Sequence, residues 1–410
     1  MQLNLIDKIN FFSGNKEGFE SVQAIKSLPV FSDEAVGYLD GLSKRLLKLP
    51  EAKGFPDIIT FAFWCRRANV LSMKKAYEDE VGRLGRGVAF HIAPSNVPIN
   101  FAYSLAAGLL AGNVNVVRLS SKEFEQIDIV CNVITDMNNQ GDFKRVADMV
   151  YLVKYSHSKE VTDFLSSLCN TRIIWGGDST IAEIRKSPLP SRSTEVMFSD
   201  RYSLCMINSE KYLSDYDHKK TARDFYNDTY LTDQNACTSP KLIVWTNGKN
   251  GESEKAKSVF WGRLTEIINS EYSIKAVQAI NKLTAFYKTA AVLEDRGMKL
   301  SKPSENHPSN NLMRIQLKTL DEKIVDCFDN SGYFYEYSTD DINEIKGICG
   351  VKCQTISYIG FTKEELNGFV SNDYASGIDR IVPVGKTLDF SLVWDGYDLI
   401  YSLSRKITII

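Results

Sequence analysis

The sequence predicts an α/β protein of two domains, each an open, mostly parallel sheet covered by helices, with a helical N-terminal segment in front. Three observations carry this. From Gly87 onward, short apolar runs of strand length alternate with longer stretches whose apolar residues recur at helical spacing, as in successive βαβ units. At 410 residues the chain exceeds what a single hydrophobic core organises well. Ahead of Gly87 the same spacing is helical. The expected divisions are 1–80 for the helical segment, packing on the first α/β domain, 81–205 for that domain and 206–385 for the second. Residues 386–410 either return to the first sheet or make a subunit contact.

In chain order, "FSDEAVGYLDGLSKRLLKL" and "FPDIITFAFWCRRANVLSMKKAYEDE" repeat apolar residues near helical spacing with charge between them. "GVAFHIA" is a short buried strand, "INFAYSLAAGLLAG" an almost wholly apolar helix, and "VNVVRLS" a second strand. Gly112 and Asn113 are placed to end that helix. The alternation continues through "EFEQIDIVCNVITDMN", "DMVYLV", "SKEVTDFLSSLCN" and "TRIIW". After "STEVMF" and "SLCMIN" come a charged helix, "DYDHKKTARDFYNDTY", and a polar loop. "KLIVW", two helices around "SEKAKSVFWGRLTEIINS" and "IKAVQAINKLTAFYKTAAVLE", and the strands "GYFYEYS" and "KCQTISYIGF" make the second α/β region. Ser301 to Asn311, "SKPSENHPSNN", reads as a solvated surface loop.

Composition narrows the function. A net charge of -2 gives no pull toward nucleic acid or an acidic membrane. Asp7 and Lys8 interrupt what a signal peptide would keep apolar, and no run approaches a membrane span, so a cytoplasmic protein is expected. The eight cysteines are scattered, and the close pair Cys349 and Cys353 has no second ligand pair beside it. Reduced thiols are expected, with no metal site.

Several residues stand out against this background. Cys237 lies in "TYLTDQNACTSP", a polar, turn-prone run, whereas a cysteine kept for packing usually sits within an apolar element. Taken alone, that pattern suits a thiol hydrolase or acyltransferase as well as other thiol chemistry. Asn96, in "APSNVPIN", follows the first parallel strand, where open sheets place ligands. Ser95 or Asn96 can equally cap the next helix, with Pro98 in its first turn. "IIWGGDSTIAEIR" runs from a buried strand through Gly176 and Gly177 into a helix opened by Asp178, Ser179 and Thr180. Either its N–H groups cradle a pyrophosphate or Asp178 caps them. Arg118 ends the second strand, where a cation can meet a 2′-phosphate or simply face solvent. Glu195 interrupts a strand-like alternation, as a general base or as a solvent-facing residue. His91 reads as a satisfied core histidine. Gly82, Gly85 and Gly87 precede the strand instead of following it, so the usual dinucleotide fingerprint is absent.

Five ordered blocks from about Gly87 to Arg405 carry a family likeness: "FHIAPSNVPINFAYSLAAGLLAGNVNVVRLSSK", "WGGDSTIAEIRK", "DQNACTSP", "KCQTISYIG" and "GIDRIVPVGKTLDFSLVWDGYDLI". Together they resemble the acyl-CoA reductases typified by the fatty acid reductase of bacterial bioluminescence, a branch of the aldehyde dehydrogenase superfamily. The resemblance implies an aldehyde dehydrogenase-like fold, with a dinucleotide-binding domain first and the nucleophile delivered by the second domain. Cys237 falls on the family's nucleophile. Asn96 falls on the asparagine that, with the cysteine N–H, forms an oxyanion hole. Arg118 lies where relatives carry a lysine contacting the adenosine ribose. Ser120 and Gly176 join the cofactor set, with Gly177, Ser179 and Thr180 in the phosphate-proximal turn. Glu195 coincides with the general-base glutamate of hydrolytic relatives, although "VMFS" replaces the glycines that usually come after it.

The implied reaction is NADPH-dependent reduction of a fatty acyl thioester, on CoA or on a carrier protein, to the aldehyde through a thioacyl-cysteine. Other readings are a cysteine acyltransferase or thioesterase without redox activity, or a CoA-acylating aldehyde dehydrogenase working in the oxidative direction. The resemblance also suggests an acyl-protein synthetase partner and a homo-oligomer.

Overall fold

Described in the computed structural model are residues 5–78, 82–248, 251–295, 310–371 and 376–410. His307 and residues 301–309 of the expected surface loop lie outside them. The chain divides into two units: residues up to Ser199 together with Phe390–Ile410, and Asp200–Asp389.

Among the described residues up to Ser199, the first unit has seven strands: β1 (Asn10–Ser13), β2 (Arg83–Gly85), β3 (Val88–Ile92), β4 (Val114–Arg118), β5 (Val150–Lys154), β6 (Thr171–Trp175) and β7 (Thr194–Phe198). Six form one sheet in the order β1-β5-β4-β3-β6-β7. β3 to β7 run parallel, as the strand-helix alternation requires. β1 is antiparallel on the β5 edge and was not expected, since four residues in a mostly helical segment carry no readable period. β2 stands outside this sheet and pairs with Ser404–Lys406, so the C-terminal segment packs on the first unit.

The apolar helix Asn100–Leu110 is buried at every residue after Asn100, as an all-apolar helix must be. It ends as its sequence predicts: Gly112 takes φ +84, where a Cβ would stand 2.0 Å from the Leu28 carbonyl oxygen. Asn113 then accepts the Arg86 and Gly87 N–H groups at 2.8 and 3.2 Å, tying the helix exit to the sheet entry.

His91 is the fourth of the five residues of β3 and is fully buried. Asn115 Nδ2 donates to the Asn113 carbonyl, which leaves Asn115 Oδ1 to accept the His91 Nε2–H at 3.0 Å. His91 Nδ1 then accepts the Ser104 hydroxyl at 2.7 Å, and Ser104 Oγ accepts Trp175 Nε1 at 3.0 Å. A Cβ on Gly108 would lie 1.9 Å from Asn115 Oδ1, so only glycine lets the helix close over this network. Burial pushes His91 down to about 4.

The second unit's strands are β8 (Tyr202–Asn208), β9 (Pro240–Thr246), β10 (Met313–Gln316), β11 (Tyr333–Ser338), β12 (Cys353–Ile359) and β13 (Arg380–Pro383). They form an all-parallel sheet in the order β10-β11-β9-β8-β12-β13. Asp228, buried near the end of helix His218–Thr229, accepts the Gly385 and Thr387 N–H groups at 2.6 and 3.2 Å; burial pushes its carboxyl up to about 7. Among the described residues, no helix is long and apolar enough to cross a membrane.

His91 and Asp228 oppose each other in stability. Between the ordinary histidine value near 6.5 and the folded value near 4, the unfolded chain holds a proton on His91 that the folded chain does not, so stability falls as pH falls. Asp228 acts in the reverse sense over much of that window, because the folded chain holds the proton there. The His91 contribution therefore appears as a difference. In denaturant unfolding from pH 6.5 to 5, wild type should lose about 2 kcal/mol relative to His91→Gln, and parallel curves would refute this.

Candidate active site

Cys237 owes its position to a short, strained and heavily tied loop. Helix His218–Thr229 runs into a single 3₁₀ turn, Tyr230–Thr232, after which Asp233 and Gln234 adopt φ values of 51° and 58°. Two successive non-glycine residues in the left-handed region cost on the order of 1–3 kcal/mol each and persist only where the surroundings over-determine them. Here they do. The Gln234 amide uses every hydrogen-bonding direction it has: Nε2 donates to the Pro240 and Tyr333 carbonyls at 2.8 and 3.1 Å, and Oε1 accepts the Gly332 and Tyr333 N–H groups at 3.0 Å each. Asp233 accepts the Ser331 N–H on its carbonyl at 2.8 Å and the Tyr272 hydroxyl on its carboxylate at 2.7 Å.

Beyond the clamp, Ser203 Oγ donates to the Cys237 carbonyl and Ser239 Oγ to the Asp228 carbonyl, both at 2.7 Å. The cysteine is thereby fixed at the amino edge of the second sheet, just before β9. Of the eight cysteines, seven are buried and Cys237 alone is partly open, which an attacking or attacked sulfur requires. Lys241, buried within β9, donates from Nζ to the Gln234 carbonyl and to Asn330 Oδ1. Neither Gln234 nor Lys241 was singled out from sequence. The readable signal for Lys241 was one charge inside "PKLIVWT"; the amide clamp left none, because its partners come from a distant stretch.

In the first unit the strand order runs outward from β3 through β4 to β5, then resumes on the other side with β6 and β7. The switch point, where doubly wound sheets take ligands at their carboxyl ends, therefore lies between β3 and β6. The loops after these strands contain Asn96 on one side and Gly176 and Gly177 on the other, with Arg118 and Ser120 at the end of the neighbouring β4. Asn96 is exposed. The helix after it starts at Asn100, with Ile99 at the cap position and no side-chain cap, so neither Ser95 nor Asn96 serves as its cap and Pro98 precedes its first turn. Arg118 lays its guanidinium 4.5 Å from the Tyr155 ring centroid. Ser120 is buried and accepts the Lys122 N–H at 3.1 Å.

Gly176 packs against the next helix so closely that a Cβ would meet Thr180 Cγ2 at 3.0 Å. That helix, Asp178–Ile184, begins from Gly177 without a side-chain cap; Asp178 is its first residue, and Ser179 and Thr180 are exposed in its first turn.

Glu195 has a different setting from the other residues singled out in the first unit. It is the second residue of β7, in register with Arg172 at the amino end of β6, away from the carboxyl edge that gathers the other first-unit residues. Its Oε1 accepts from Arg172 Nε at 2.8 Å and also from Nη2, while Arg185 Nε lies 3.1 Å from Oε2. Arg172, almost fully buried, donates from Nη1 to Ser166 Oγ and the Ser187 carbonyl, each at 2.9 Å. The charge that looked out of place in a strand is there to neutralise a buried guanidinium.

A doubly wound sheet lacking the glycine fingerprint, joined in one chain to a second parallel sheet that bears a cysteine loop, defines the class as aldehyde dehydrogenase-like, and solved structures share that fold. A lactaldehyde dehydrogenase is 12% identical at a TM-score of 0.62, covering 100% of this chain and 90% of that one. The glyceraldehyde-3-phosphate dehydrogenase GapN from Methanocaldococcus jannaschii, solved with NADP, is 14% identical at a TM-score of 0.60, covering 100% and 93%. Within that class, residues 67–406 match the family described as acyl-CoA reductase (LuxC), and the chain belongs to it. A long-chain acyl-protein thioester reductase of Vibrio harveyi is 23% identical over 308 residues, 73% of this chain; the match spans 59% of that relative's own length.

Because Arg172 is buried with Glu195 as its counter-charge, Glu195→Ala should cost about 3 kcal/mol of stability in denaturant unfolding. Unchanged unfolding would show that the Arg172–Glu195 pair does not support the fold.

Proposed function

We propose that the protein reduces a long-chain acyl thioester to the aldehyde through an acyl group carried on Cys237, with NADPH as reductant. The observation that carries this reading is the one cysteine that is not buried, held in an over-determined loop, in a chain of the acyl-CoA reductase family. The Cys237 thiolate attacks the thioester carbonyl, a carbon–sulfur bond forms, and the carrier thiolate leaves. The Cys237 N–H and the Asn96 amide are the assigned donors to the oxyanion. Collapse of the second tetrahedral oxyanion releases aldehyde and returns Cys237 as thiolate.

The first unit's carboxyl edge suits a dinucleotide. Gly176 lets the following helix pack close, where a Cβ would crowd Thr180, and the helix at Gly177 starts without a side-chain cap, which suits the pyrophosphate with Ser179 and Thr180 alongside. Arg118 is assigned to the adenosine ribose, the cation favouring a 2′-phosphate, with Ser120 in the cofactor-binding set. NADPH, when bound there, supplies the hydride that reduces the enzyme thioester. Glu195, occupied by two arginines, is given no part; a water-activating base would drain the acyl-enzyme to acid. An acyl-protein donor, delivered by an acyl-activating partner, and a homo-oligomeric assembly belong to the same reading.

The test mixes the protein with NADPH and acyl-CoAs or acyl-carrier proteins of graded chain length and follows nicotinamide absorbance. Oxidation should require Cys237, vanish in Cys237→Ala, and fall about 10²–10³-fold in kcat for Asn96→Ala. Absence of oxidation with every donor refutes the reading, and thioester cleavage indifferent to NADPH would replace it with an acyltransferase or thioesterase.

A further inference from the structure

Arg118 closes β4 as a cation without a counter-charge. Among the described residues its guanidinium makes no hydrogen bond and no ion pair, yet it is not loose, because its Cζ lies over the Tyr155 ring at 4.5 Å from the centroid. The strands bring the two together. Arg118 pairs with Val153 across parallel β4 and β5, and the Leu119 N–H donates to the Val153 carbonyl at 2.9 Å, so the pairing holds to the end of the strand. Tyr155 follows Val153 by two residues, the spacing that returns a side chain to the same face. The ring is itself pinned: Tyr155 is buried, and Thr162 Oγ1 gives its own proton to the Ser158 carbonyl at 3.0 Å, which leaves it to accept the Tyr155 hydroxyl at 3.2 Å. Thr162 belongs to helix Lys159–Leu168, so the platform under Arg118 is anchored to a regular element. An aromatic face attracts a guanidinium through its quadrupole while the N–H groups at the rim of the cation stay available, and a planar fork of donors matches a phosphate.

We propose that Tyr155 is the positioning residue that sets the preference for NADP(H) over NAD(H): its ring holds the Arg118 guanidinium flat and unspent at the carboxyl edge of the sheet, ready for the 2′-phosphate of the adenosine ribose. A carboxylate in place of the ring would neutralise the cation and occupy its donors. An aromatic face orients it without doing either. A dinucleotide lacking the 2′-phosphate gains nothing from the stack, so the ring acts on one cofactor and not the other. The inference rests on the reading that places the adenosine ribose at Arg118, but its test uses no thioester and no turnover.

That test is titration calorimetry of the full chain with NADP+ and, separately, with NAD+. The unmutated protein should bind NADP+ at least about tenfold more tightly. Tyr155→Met, which fills the volume without offering a ring face, should weaken NADP+ by about tenfold and leave NAD+ unchanged, whereas Tyr155→Phe, which keeps the face, should retain the preference. The NAD+ affinity doubles as the check on folding, and Tyr155→Leu substitutes if the methionine variant does not fold. In an Arg118→Met background the Tyr155→Met change should cost NADP+ nothing further, because the ring acts only through the cation. Equal weakening of both dinucleotides, as direct stacking of the ring on adenine would give, or an NADP+ affinity unmoved by loss of the ring, overturns the proposal. If the affinities move as expected while acyl thioesters leave NADPH unoxidised, the reductase reading falls and the role of Tyr155 stands; if neither dinucleotide binds the unmutated protein, both fall.

Discussion

The side-chain amide of Gln234 is the interaction on which the candidate site depends. Two consecutive residues are forced into the left-handed region, and the backbone there would relax to a commoner turn if nothing held it. The amide binds β9, the strand just after the loop, through Pro240, and the neighbouring strand β11 through Gly332 and Tyr333. A buried amide with all its bonds made is worth more than the sum of exposed ones, because any alternative loop conformation would leave it unsatisfied in a dry interior. The loop is therefore a rigid extension of the sheet, and Cys237 is positioned by strands instead of by its own flexible neighbours.

Polar groups buried in the first unit obey the same logic. The chain Trp175–Ser104–His91–Asn115–Asn113 is satisfied at each link and ties the buried helix Asn100–Leu110 to β3, β4 and β6. Those are the strands whose carboxyl ends flank the switch point, so the network sets the spacing of the loops that bear Asn96, Arg118 and Gly176. Arg172 and Glu195 perform a comparable task at the amino end of β6 and β7. In each case a polar core fixes geometry at a distance and the residues placed by it remain outside it.

Charge separates the two kinds of position. Glu195 and Arg172 neutralise each other and are locked, whereas Lys241 donates to two neutral oxygens, the Gln234 carbonyl and Asn330 Oδ1. That distinction comes from the partners, since both are single charges in otherwise strand-like sequence.

The sequence by itself determined the alternation of parallel strands and helices, the burial of Asn100–Leu110, the helix exit at Gly112 and Asn113, and the suspicion attached to Cys237 and Asn96. These features come from local periodicity, from turn chemistry or from a residue type out of keeping with its neighbours, all of which a linear chain displays. Tertiary structure alone decided that β1 joins the sheet edge, that Glu195 faces Arg172, that Asn96 is not a helix cap, and that Gln234 and Lys241 belong to the cysteine loop. Each of those depends on a hydrogen bond or ion pair between residues that only pairing of strands brings together, and a contact across 23 residues, as for Arg172 and Glu195, or 99, as for Gln234 and Tyr333, leaves no periodic trace in the chain.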